Sequence, residues 1–238
     1  MGRVAEPGSL GAEDAPFDFM IMKMVLVATC TFVFCGFIRA ETLPPERKVE
    51  SNTVVSTRDP NIRITIPASA RYVGVDRWVL YGVADCEVHV FVKADEKKMV
   101  QSFYWIQFEG YLPEKPNQRY DYTKDRKMVI DGLEFHLKAR FGPTSEKPKP
   151  GSDLKHVLNL ISAGGYKLPP DMMNVRLVYL PDSSHRKEMM VIYAEDMAGT
   201  GYSSTNLMAG EKIGPEWAGI EDALIERAKR QIGFHLQK

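Results

Sequence analysis

Residues 100–109, Val-Gln-Ser-Phe-Tyr-Trp-Ile-Gln-Phe-Glu, constrain the fold more than any other stretch of the chain. Strand side chains alternate between two faces. Val100, Tyr104, Ile106 and Phe108 therefore share one side, and Phe103, Trp105 and Gln107 share the other. Both sides carry large aromatic groups, which water cannot cover favourably, so the strand is central in a sheet or lines a cavity.

The neighbouring segments extend the same sheet. Residues 63–66 alternate, residues 78–82 are strand-like, and residues 86–92 place Cys86, Val88, Val90 and Val92 on one inward face. The polar turn at Asp95-Glu96-Lys97-Lys98 joins this strand to 100–108 as an antiparallel hairpin. Residues 133–141 put Leu133, Phe135, Leu137, Ala139 and Phe141 inward and Glu134, His136, Lys138 and Arg140 outward. Residues 175–180 and 188–195 form a second hairpin around Pro181-Asp182-Ser183-Ser184.

Two helices are marked by period and caps. Ser152 caps a helix with Leu154, Val157, Leu158 and Ile161 on one stripe, and Gly164-Gly165 stops it. Near the C-terminus, Pro215 opens a helix whose Trp217, Ile220, Leu224 and Ala228 recur at helical spacing, with Gly233 past its end. Early Glu216, Glu221 and Asp222 and late Arg227, Lys229 and Arg230 match the helix dipole. The expected fold is α+β: a mostly antiparallel sheet with the C-terminal amphipathic helix on one face, preceded by an export or anchor segment.

That segment is residues 24–38, an apolar run preceded by Lys23 and followed by Arg39-Ala40. It is shorter than the ~20 apolar residues of a spanning helix and sized like the core of a signal peptide. The chain therefore divides into a leader of doubtful start (1–23), a signal-peptide core or short anchor (24–40), a polar linker (41–61) and one domain (62–238). The expected location is periplasmic or secreted, with membrane anchoring through 24–38 as the alternative. Cleavage would leave Cys86 as the single cysteine, with no internal disulfide.

Charge excludes one class of partner. Lysine plus arginine and aspartate plus glutamate both number 31 in the 238 residues, so nothing points to nucleic acid. Motifs are equally sparing. Ser152-Asp153-Leu154-Lys155 has the spacing of an acylating serine and its lysine, but no Lys-Thr-Gly follows, so Ser152 reads as a helix cap. Gly199-Thr200-Gly201 precedes no helix N-terminus close enough to take a phosphate and reads as a loop. Cys86 and His89 fall on opposite strand faces, and Glu134 with His136 lacks a third ligand, so no metal or other cofactor is expected.

The strongest candidate site is Trp105, Gln107 and Glu109 on one strand face, with Tyr111, Tyr120 and Tyr122 in the following loop. An indole, an amide and a carboxylate in a row suit a ligand groove, and residues 199–206 are long enough to close over it. The leading function is a non-enzymatic exported domain that binds a small apolar or amphipathic ligand, or a protein partner, through one sheet face. The alternatives are an extracytoplasmic enzyme, possibly a hydrolase, with its acid or base drawn from Glu109, Glu134, His136 or Glu195, and a structural envelope protein.

Overall fold

The computed structural model describes residues 43–209 and 212–237; the expected export segment at 24–38 lies outside them. Thirteen strands and two α-helices are present among these residues. The strands are β1 (Lys48–Glu50), β2 (Thr53–Thr57), β3 (Asn61–Thr65), β4 (Arg71–Leu80), β5 (Ala84–Ala94), β6 (Val100–Tyr111) and β7 (Arg126–Ile130). They continue as β8 (Leu133–Pro143), β9 (Asp171–Tyr179), β10 (Lys187–Asp196), β11 (Met208–Ala209), β12 (Lys212–Ile213) and β13 (Gly233–Leu236). Helix α1 is Asp153–Ala163 and α2 is Glu216–Gln231.

Seven strands form one antiparallel sheet in the order β4-β5-β6-β10-β9-β8-β7. Strand β6, apolar on both faces, sits inside it between β5 and β10. Asp131-Gly132 joins β7 to β8 with φ of +51° and +81°, the paired left-handed conformation that suits a two-residue hairpin and that Gly adopts without strain. The class is α+β, as the strand alternation implies.

The two faces of β6 enter separate cores. Tyr104, Ile106 and Phe108 join Val54, Ile62 and Ile64 of a second, four-stranded sheet with order β1-β2-β3-β13. Trp217, Leu224, Ile225 and Ala228 of α2 are buried in that same cluster, with the Trp217 ring 4.7 Å from that of Phe141. Phe103 and Trp105 instead join Trp78, Cys86 and Val90 together with Val157 and Ile161 of α1. Removing a buried branched side chain leaves a cavity that neighbours fill only in part. Leu224→Ala is accordingly expected to lower stability by about 2–5 kcal/mol, measured by denaturant unfolding; a loss under about 0.5 kcal/mol would show that α2 contributes no core.

Three expectations are corrected. Residues 43–61 are no loose linker: β1 and β2 lie there, and Val54 and Ser56 are fully buried. The short Thr-Val-Val-Ser-Thr run looks polar in composition, yet its branched residues suit a strand, and β3 supplies its partner. Gly233 does not merely stop α2; it opens β13, which pairs with β3. In α1 the buried residues are Val157 and Ile161 with Leu160 packed beside them, while Leu154 is exposed. The helix is rotated so that Asp153, in its first turn, faces the sheet's acidic cluster.

The N-terminal stretch is held by a buried acid. Glu87 accepts the backbone N–H of Glu46 at 2.6 Å and of Arg47 at 2.9 Å, and its Oε1 lies 2.9 Å from His89 Nε2. The Arg47 guanidinium stands 3.5 Å from Glu87 Oε2 and 4.4 Å from the centre of the Phe108 ring.

Candidate functional site

The six residues singled out in the sequence form one connected assembly on the α1 side of the large sheet. Trp105 Nε1 donates to Gln107 Oε1 at 2.8 Å, and Gln107 Nε2 donates to Glu109 Oε2 at 2.9 Å. The loop after β6 then returns: Tyr120 donates its hydroxyl to the other Glu109 oxygen at 2.8 Å. Stacked rings continue the line, with Tyr111 and Tyr120 centroids 4.4 Å apart and Tyr120 and Tyr122 6.5 Å apart. His136 stands next, 5.7 Å from Tyr122, and its Nδ1 donates to the Tyr122 carbonyl at 3.1 Å.

Strand register adds residues that alternation within one strand did not reveal. Glu109 on β6 is paired with Cys86 on β5 and with Glu188 on β10. Two carboxyl groups thus stand abreast on neighbouring strands, and Asp153 approaches from α1. Glu188 Oε2 accepts the Tyr122 hydroxyl at 2.6 Å, while Asp153 Oδ1 is shielded from solvent without a hydrogen-bond partner. Two phenols from one loop therefore each hold one member of the carboxyl pair.

Such a pair resists ionisation. Burial and the adjacent Glu109 charge push the Glu188 carboxyl up to about 8, and Glu188 is only 3% exposed. Burial and the Asp153 charge raise Glu109 too, outweighing the hydrogen bonds from Tyr120 and Gln107. Burial likewise raises Asp153 and the Cys86 thiol. The guanidinium of Arg176 acts on Glu188 from a distance, but it is bonded to Asp125 at 2.8 Å and stacked 5.0 Å over the Tyr122 ring. Two carboxyls side by side on paired strands without a close cation disfavour ionising together.

The site is largely closed. Trp105 and Gln107 are buried, whereas Glu109, Tyr111 and Tyr122 are partly exposed. A cleft of about 500 Å³ begins at its margin, lined by Thr123, Lys127, Glu134, His136, Tyr179 and His185 among others. His136 belongs to both the cleft and the aromatic ladder. A second cleft of about 550 Å³ lies beside α2, where Glu195, Asp196, Thr200, Tyr202, Glu216 and Arg227 contribute.

The proposed acids and bases do not converge. Glu134 and His136 share the first cleft, and Glu134 is held by Lys127 at 2.7 Å. Glu195 lines the second cleft, where Arg227 binds it at 2.7–2.9 Å. Glu109 stands apart from both in its hydrogen-bonded row. The segment 199–206, expected to close over Trp105, instead contributes Gly199, Thr200 and Tyr202 to the cleft beside α2. It follows β10 through the short 3-10 turn Met197–Thr200, and Met197 enters the α2-side core, which carries the segment to that face.

Sequence reasoning missed Glu188, Asp153 and the part played by Cys86. Glu188 does carry a signal: it shares strand parity with Met190 and Ile192, an acid in an otherwise apolar row. The Cys86 Sγ and one carboxylate oxygen from each of Glu109 and Asp153 lie within 4.8 Å of one another, a set able to offer three ligands to a metal ion. Comparison with known proteins finds no matching family model, no significantly similar curated protein and no significantly similar solved structure.

Proposed function

We propose that this is an exported, non-enzymatic binding domain that takes a small amphipathic ligand at the carboxyl–tyrosine site, entering from the cleft at His136. Export is supported by the apolar run 24–38. The observation that carries the binding reading is the continuity of the site. Six residues chosen for ligand-binding chemistry form a single row of hydrogen bonds and stacked rings that reaches a cleft of about 500 Å³. α2 and the small sheet cover the opposite face and α1 packs on part of this one, which leaves the cleft at His136 as the approach to the row.

The chemistry favours a ligand with a cationic head. Glu109 and Glu188 are acceptors held mainly by neutral partners, and a protonated amine would supply the positive charge that two adjacent carboxylates lack. The ring ladder and Leu180 offer an apolar wall for the rest of the molecule. The enzyme alternative rests on one observation, that Glu188 keeps its proton near neutral pH as a general acid does.

Phenethylamine and phenylacetate make a suitable pair of probes, alike in body and opposite in head charge. Calorimetry is expected to show amine binding that tightens between about pH 6 and about pH 8, because the cation replaces a proton, and no comparable binding of the acid. Tyr122→Phe and Glu188→Gln are expected to weaken the amine by about tenfold or more. Equal binding of both probes, or of neither, would remove the reading.

A further inference from the structure

A row of side chains crosses the α1 face of the large sheet at one level. Trp78 on β4 is paired with Cys86 on β5, Cys86 with Glu109 on β6, and Glu109 with Glu188 on β10. Paired residues share a face, so the four stand side by side. Helix α1 closes over the row from above. Asp153 brings a carboxylate oxygen within 4.8 Å of both the Cys86 Sγ and a Glu109 oxygen, and the His156 ring stacks on the Trp78 indole with centres 3.9 Å apart. Among the described residues this is the one group of three His, Cys, Asp or Glu side chains with ligand atoms so close together.

Two polar atoms flanking Cys86 lack what their burial demands. Asp153 Oδ1, an acceptor, and Trp78 Nε1, a donor, are shielded from solvent without a hydrogen-bond partner, and Trp78 is only 9% exposed. They are two of the three such side-chain atoms among the described residues. Buried polar groups are normally paired, because an unmet one gives up water without compensation. Cys86 itself is fully buried, and its thiol makes a long contact of 3.9 Å with the Ala84 carbonyl.

We propose that Cys86, Glu109 and Asp153 bind Zn²⁺ or a similarly thiophilic divalent ion, which clamps the first turn of α1 to strands β5 and β6. The donor set decides the class of ion. A thiolate with two carboxylates suits Zn²⁺, whereas Mg²⁺ and Ca²⁺ take oxygen ligands throughout. Tetrahedral bonds of about 2.0–2.3 Å hold ligand atoms about 3.3–3.8 Å apart, so the group closes by at most about 1.5 Å, within reach of side-chain rotation. Three protein ligands leave a fourth position for water. That water or the thiolate gives the Trp78 N–H an acceptor, and the ion gives the Asp153 carboxylate a partner.

Charge favours the same assignment. Burial is the first cause that raises each of Cys86, Glu109 and Asp153, and the cations around them are engaged, Arg176 with Asp125 and His156 with Asp76. A divalent ion supplies the missing opposite charge and sends the thiol proton to solvent on binding. The site shares Glu109 with the ligand site proposed above but does not depend on it: Cys86 and Asp153 lie on the β5 side and do not line the cleft at His136.

Cobalt reports a sulfur ligand directly. The whole protein, stripped of metal by a chelator, is expected to bind one equivalent of Co²⁺ with the near-ultraviolet absorption of a thiolate–cobalt bond. Zn²⁺ should displace it, and excess Mg²⁺ should not. Cys86→Ser is expected to abolish the absorption, and Asp153→Asn, altered at a partly exposed helix end, to weaken Co²⁺ by about tenfold or more. Zn²⁺ should also raise the melting temperature of the wild type more than that of Asp153→Asn. Cobalt binding without thiolate absorption, or with equal affinity in Asp153→Asn, would overturn the site.

Discussion

Replacing Glu87 by alanine is expected to destabilise the domain by about 3–5 kcal/mol and to free residues 44–50 for proteolysis. Glu87 is 1% exposed, yet it carries two backbone N–H groups, His89 and the Arg47 guanidinium. Truncation leaves the buried Arg47 guanidinium with only Glu46, 3.3 Å away, as a counter-charge and two N–H donors unpaired, the costly way to break such a pair. Burial works against the Glu87 charge, but the His89 bond, the Glu46 and Arg47 amides and the Arg47 charge outweigh it and hold the carboxyl below its usual range. A carboxyl lowered on folding adds stability above its unfolded value, and that stability is lost as pH falls through the folded one. Urea unfolding of Glu87→Ala at neutral pH checks the magnitude; a loss under about 1 kcal/mol would show that the N-terminal strands do not depend on this anchor.

Glu188→Gln is expected to do the opposite, increasingly as pH rises above about 4.5. The Glu188 carboxyl is raised from 4.5 to about 8 on folding. Between those values the folded state keeps a proton that the unfolded chain has released, so stability falls as pH rises through the window and levels off above about 8. Glutamine removes the titration while retaining an acceptor for the Tyr122 hydroxyl. The variant should equal the wild type near pH 4 and exceed it near pH 9 by on the order of 2–5 kcal/mol. Thermal melts across that range decide the matter. Parallel curves for the two proteins would mean that Glu188 does not titrate between the folded and unfolded states.

These two acids show how far the sequence could be read. Alternation placed Trp105, Gln107 and Glu109 on one face because parity within a strand is local information. It did not place Glu188 or Cys86 beside Glu109, because register depends on turn geometry and on pairing between strands, which parity within one strand does not give. Tyr120 and Tyr122 were reachable because they follow β6 closely, whereas Asp153 looked like ordinary first-turn acidity in α1. The polar look of 43–57 misled for another reason. A three-residue and a five-residue strand bury few side chains, so composition resembles a linker, and Glu87, which fixes the stretch, is 40 residues away from Arg47. The segment 199–206 was assigned to the wrong face because loop direction depends on the strand it leaves.

The small sheet unites the two ends of the described chain. Three of its strands, β1, β2 and β3, come from the first part, and the fourth, β13, comes from the last. Gln237 adds bonds to Asn61 across 176 positions of sequence and to the Ser56 carbonyl across 181. Loop-closure entropy must be met before such distant contacts reward it. During synthesis β3 emerges early and must wait with one edge open until residues 233–236 arrive. The core between the two sheets is then finished by the final strand, so a chain cut short at the end of α2 would leave Ile62 and Ile64 beside an unfilled edge. Completion of the core between the two sheets is thereby tied to the arrival of residues 233–236.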